Sequence, residues 1–166
     1  MKPEIARALS DHLDRQNQEK QEAVVRASER EKQIAQNVAD FEAAKNAVIK
    51  PAFQEIVDLY QEKGIAIRVA EQDEVANRNG GVQSASIGID LAAAYPSRDS
   101  EMKPGFKLSF DKGNRTLSLH TSTGTQAGPA GSVTLEAITA EWIHIAFAKY
   151  QGIGPGPRVF GEIVSR

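Results

Sequence analysis

Between Glu22 and Lys63 the apolar positions Val24, Ala27, Ile34, Val38, Phe41, Val48 and Ala52 recur at steps of three and four, interrupted by polar residues at Glu31 and Lys45. That spacing predicts a long helix with one narrow apolar seam. The residues around the seam are Glu, Gln, Lys, Arg and Ala, which are good helix formers. Pro51 interrupts the pattern. A mid-helix proline removes a backbone hydrogen bond and crowds the carbonyl four residues back, so the helix is expected to kink or break there. Beyond it, Phe53, Ile56, Val57 and Tyr60 make a wider apolar face, suited to lying on a sheet. Lys63-Gly64 is a stop signal. Upstream, Ile5, Leu9 and Leu13 form a short stripe after Pro3. Residues 14–22 hold no apolar side chain, and helicity there has to rest on charges of alternating sign at four-residue spacing: Arg7, Asp11, Arg15 and Glu19, then Glu22 before Arg26.

After Gly64 the period falls to two. Ile65, Ile67 and Val69 predict a first strand, and Ala85, Ile87, Ile89 and Leu91 a second. Phe106, Leu108 and Phe110 predict a third, and Leu117, Leu119 and Thr121 a fourth. Glu71 to Gly81, Tyr95 to Gly105 and Thr123 to Gly131 read as loops, and Lys112-Gly113-Asn114-Arg115 as a tight turn. Val133-Thr134-Leu135 is either a short fifth strand or the lead-in to a helix capped by Thr139. That helix carries Trp142, Ile143, Ala146, Phe147 and Tyr150 on one side. Clean alternation implies one covered and one wet sheet face, the behaviour of antiparallel strands.

The expected fold class is therefore α+β. A helical arm (residues 1–50) precedes an α+β body (51–151) with a four- or five-stranded antiparallel meander and a C-terminal helix on one sheet face. A Gly/Pro-rich tail (152–166) ends the chain. In the core, Phe53, Ile56, Val57, Trp142 and Phe147 should meet Ile67, Ile87, Leu108 and Leu119.

Composition narrows the function more than it identifies it. The chain has 166 residues, 40% of them hydrophobic, 25% charged and 6% aromatic, with a net charge of −2. Neither half carries the basic excess of a general nucleic-acid binder. The absence of cysteine removes disulfides, thiolate catalysis and Cys-based metal sites. Without a signal-like apolar run or an apolar stretch of membrane-spanning length, the expectation is a cytoplasmic protein with no membrane partner.

Candidate chemistry is sparse. No phosphate-binding glycine loop is present, and the three histidines, His12, His120 and His144, lie too far apart in sequence for a metal motif. No cofactor and no metal are expected. A four-residue turn at 112–115 pairs Asp111 with Thr116, Ser109 with Ser118 and Lys107 with His120. If Leu91 lies opposite Phe106, Asp90 joins Lys107 and His120 in one row on the wet face. That row is the candidate binding site. The seam residues Val24, Ile34, Val38, Phe41 and Val48 are the candidate interface.

These features favour a non-enzymatic adaptor that self-associates or binds a partner helix through its N-terminal arm. One alternative is a small hydrolase or nuclease-like enzyme using the wet sheet face. Another is a nucleic-acid-associated factor using Arg68, Lys107, Lys112 and Arg115.

Overall fold

The structure, a computed structural model, describes residues 2–78, 80–94, 104–122 and 127–153. Most of the expected loop at 95–105 and most of the tail lie outside those residues. The class is α+β, with a long N-terminal helix, a five-stranded antiparallel sheet and a C-terminal helix.

Helix α1 (Pro3–Ala44) passes into a π-helical turn (Lys45–Ile49) and then into α2 (Lys50–Glu62). The expected disturbance at Pro51 takes this form. The widened turn lets the Lys50 N–H bond the Lys45 carbonyl five residues back, and Pro51 begins the next segment, where a missing N–H is tolerated. The turn also resets the phase of the helix. Phe41, Lys45, Ile49, Phe53 and Val57 are all buried at steps of four. In an unbroken α-helix such steps drift by about 40° each, and the π turn takes up part of that drift. Hence Ile49 sits in the core, and Val48, expected on the seam as a candidate interface residue, is half-buried. Helix α2 ends in a Schellman cap. Gly64, at φ 77°, donates to the Gln61 carbonyl, and Ile65 donates to that of Tyr60.

Because Ile65 is held in the cap, the first strand begins later than its alternation suggests, at Arg68. The sheet contains β1 (Arg68–Gln72), β4 (Ser86–Asp90), β5 (Gly105–Asp111), β6 (Thr116–Ser122) and β7 (Ala127–Thr134), paired in that order. Between β1 and β4 a small hairpin, β2 (Val75–Ala76) with β3 (Val82–Gln83), occupies part of the stretch read as loop. Of the loop expected at 123–131, residues 123–126 lie outside the described residues and the rest is corrected. Ala127 to Gly131 belongs to β7, paired to β6 with a bulge where Leu119 faces Gly131 and His120 faces Pro129. Gly and Pro hide this strand from a propensity reading. It is an edge strand, where a residue without N–H costs no ladder bond on the open side.

Helix α3 (Ala140–Tyr150) is capped by Thr139, whose hydroxyl accepts from the Trp142 N–H at 3.1 Å. Phe53 and Phe147 both meet the Phe106 ring edge-on, at 6.0 and 5.3 Å between centroids. The expected core residues are buried with one exception: Trp142 is half-buried, and Ile143, fully buried, takes the inner place.

Contacts divide the chain into two compact units, Met1–Val38 and Ala39–Arg166. Residues 39–50, expected to belong to the arm, fall with the body. Phe41 stacks on Phe110 at 4.4 Å, nearly parallel, and Asp40 binds Arg115 at 2.7 Å. The polar break at Lys45 is matched by Glu71, which shares a register row with Ile87, Leu108 and Leu119 and so stands on the helix-covered face. The Lys45 ammonium lies 2.7 Å from Glu42 and 3.6 Å from Glu71, and Lys50 lies 2.6 Å from Glu71.

Candidate functional site

Two surfaces have features that core packing leaves unexplained. The first is the N-terminal helix itself. Every residue from Lys2 to Gln33 is exposed, and the apolar side chains among them include Val24 at 69% and Val25 at 55% exposure. Ile34 is half-buried and Val38 is 40% exposed. Of the expected charge ladder, Glu22 with Arg26 closes at 3.9 Å. Among the candidate interface residues, Phe41 belongs to the body's own core, because Phe110 supplies a ring for it to stack on. Val24, Ile34 and Val38 remain as an apolar set outside that core.

The second surface is the polar sheet face. The β5–β6 register follows the turn chemistry: Asp111 accepts from the backbone N–H of Gly113 and Asn114 and from the Asn114 amide. The Asn114 side-chain amide, hydrogen-bonded to it, does most to hold the Asp111 carboxyl below the ordinary value, with the two backbone donors adding to it. Arg115 closes the turn at φ 55° and is clamped by Asp40 and Glu136. Asp111 therefore faces Thr116, Ser109 faces Ser118 and Lys107 faces His120, as expected.

The β4–β5 register differs from expectation by two residues. Ile89, not Leu91, lies opposite Phe106, so Gly88 faces Lys107 and Asp90 faces Gly105. Asp90 consequently stands two register rows away from Lys107 and His120, on the same face. Its carboxylate is engaged by Arg68 at 3.3 Å and by the Ala92 N–H at 3.0 Å. Arg68 was visible as a cation in the sequence, but its pairing with Asp90 depends on the β1–β4 register, which the long intervening stretch leaves open.

All three candidate binding residues line one hollow of about 680 Å³, open to solvent, with Ala70, Gly88 and Gly105 in its floor. Lys107 is exposed and forms no ion pair or hydrogen bond among the described residues. Burial, and then the Lys107 ammonium opposite, push His120 below the ordinary imidazole value, so the ring is neutral at neutral pH. This arrangement can attract an anion and present a neutral imidazole to it. It does not assemble an activated serine, because no hydrogen bond joins a serine, His120 and Asp90 among the described residues.

The cations suggested for a nucleic-acid face are mostly neutralised. Lys112 lies 2.7 Å from Glu74, Arg115 is clamped by two carboxylates, and Arg68 is paired with Asp90. His144 is half-buried and lies 3.2 Å from Glu55. Among the described residues no helix is long and apolar enough to cross a membrane, and no cluster of His, Asp and Glu could hold a metal ion. Comparison with protein-family models, curated proteins and solved structures gives no match.

Proposed function

We propose that this chain is a non-enzymatic interaction protein whose N-terminal helix pairs with another helix, in a second copy or in a partner. One observation carries the reading. Helix α1 is exposed at every position as far as Gln33, yet retains Ile5, Leu9, Leu13, Val24 and Val25 there. Helices draw most of their stability from burying an apolar face, and isolated ones are marginal in water. A second helix on the Val24–Ile34–Val38 side supplies that burial.

Light scattering of the full chain and of a version lacking residues 1–38 tests the proposal. The full chain should have a mass that is a multiple of 18.0 kDa, and both the truncation and Val24→Asp with Ile34→Asp should reduce it to a monomer. A full chain that is monomeric at all concentrations, with residues 3–38 strongly protected in amide exchange, would sink both forms of the idea, because the helix would then need no partner.

The enzyme reading has one observation in its favour, the placement of Asp90, Lys107 and His120 around a single hollow. Against it stands the engagement of Asp90 by Arg68. A hydrolase using this face should lose activity on generic ester substrates in His120→Gln.

A further inference from the structure

Lys107 and His120 face one another across β5 and β6 at the hollow on the polar side of the sheet. We propose that this hollow is a binding site for a small, flat organic monoanion, of the aromatic carboxylate type, held by the Lys107 ammonium and resting on the small residues of the floor. The proposal is independent of the N-terminal helix and requires no chemistry at the site.

The volume comes first. About 680 Å³ falls within the roughly 300–1,000 Å³ typical of small-molecule sites. Charge comes second. Among the described residues, Asp90 and Lys107 are the ionised side chains that line the hollow. Asp90 is engaged by Arg68 at 3.3 Å, which among the described residues leaves Lys107 as the charge without an ion-pair partner. A monoanion balances it. A phosphate dianion calls for several converging donors or an arginine fork, and here the strand N–H groups are largely committed to the ladders. Shape comes third. Ala70, Gly88 and Gly105 leave the sheet low beside Lys107, and a flat body can lie against it. Gly88 has to stay glycine, since a Cβ there would come within 2.4 Å of the Phe106 carbonyl oxygen and 2.8 Å of the Lys107 Cα. The neutral His120 ring and the half-buried Ser109 offer polar hydrogens at the rim, so orientation can be set without a second charge.

The test is an amide and imidazole NMR titration of the full chain with 1-naphthoate, alongside 1-naphthalenemethanol as the uncharged isostere and inorganic phosphate as the compact anion. Naphthoate should shift Gly88, Gly105, Lys107 and His120 together, and raise the His120 pKa by screening Lys107. The alcohol should bind at least tenfold more weakly. Lys107→Met should weaken naphthoate at least tenfold with the melting temperature retained. Ala70→Leu, which fills the floor without touching a charge, should weaken both naphthyl probes alike. Shifts centred elsewhere, equal binding by Lys107→Met, or full binding by Ala70→Leu would overturn the assignment. Displacement of naphthoate by equimolar phosphate would overturn the flat-ligand reading.

Discussion

Phe41 offers the sharpest test of how the chain is built. It lies on the apolar seam, where the sequence alone makes it an interface residue, yet it is 1% exposed and stacks on Phe110 within the body. Truncating a buried phenylalanine to alanine costs about 3–5 kcal/mol, of which roughly 0.5–1.5 reflects the ring pair itself. A domain of this size has about 5–15 kcal/mol in total. At about 3–5 °C per kcal/mol for a body of this length, Phe41→Ala should melt roughly 10–20 °C below wild type. Val24→Ala, on a residue 69% exposed, should change the intrinsic stability of the body by less than about 0.5 kcal/mol. Phe41→Leu, a milder truncation, keeps the comparison usable if the alanine variant fails to fold. The assay is a thermal melt at several protein concentrations. A wild-type melt for Phe41→Ala would refute the burial. A deficit that disappears as concentration rises would show that Phe41 works between chains instead.

Two further predictions concern pH and charge. Lys50, through its hydrogen bond, is the main cause that holds the Glu71 carboxyl below its ordinary value of 4.5, with Lys45 adding to it. A carboxylate depressed in the fold contributes its full stabilisation above that ordinary value and loses it as pH falls through the lowered one, so Glu71→Gln should flatten the acid limb of a stability–pH curve below about pH 4.5. A wild-type acid limb in that variant would remove Glu71 from the account. At His120, where burial and Lys107 depress the imidazole below 6.5, the unfolded chain takes up its proton first. Its contribution is complete above about pH 6.5 and declines below it until the folded ring also titrates. Lys107→Met should raise the His120 pKa measured by NMR and still leave it below 6.5, because burial remains, and an unchanged value would show that the two side chains do not interact.

The parts of this structure legible in the sequence are those set by local chemistry. The Asp111–Asn114 turn fixed β5 against β6, and with it the Lys107–His120 pair. Gly64 stopped α2, and Thr139 started α3. The parts missed depend on distant partners. The register of β4 on β5 spans a connection of fourteen residues, and Asp90 accordingly moved two places, out of the Lys107 row and into reach of Arg68. Strand β7 carries Gly128, Pro129 and Gly131, and pairing with β6 overrides their poor propensity. Lys45 reads as a flaw in the seam because one of its two partners, Glu71, comes from a distant stretch that the sequence presents as loop. The register that puts Glu71 in one row with Ile87, Leu108 and Leu119 emerges only once β1 is paired with β4. The choice of Ile49 over Val48 required the π turn, which no spacing rule of 3.6 anticipates.

Pro129 has a consequence for solubility as well as for strand assignment. Among the described residues the sheet is open, and β7 presents one side on which none of them pairs with it. Such a side is a template on which a second chain can add a strand, and repetition of that step builds fibrils. Pro129 removes an amide hydrogen from the strand, and the bulge beside it breaks the regular spacing that an incoming strand would need. Pro129→Val would complete the row of donors and raise β-propensity together. The monomer fold should survive that change, while thioflavin-positive aggregation under mild heating should begin sooner. A residue that looks like a defect in the strand is, on this reading, what keeps one molecule from becoming the seed for the next.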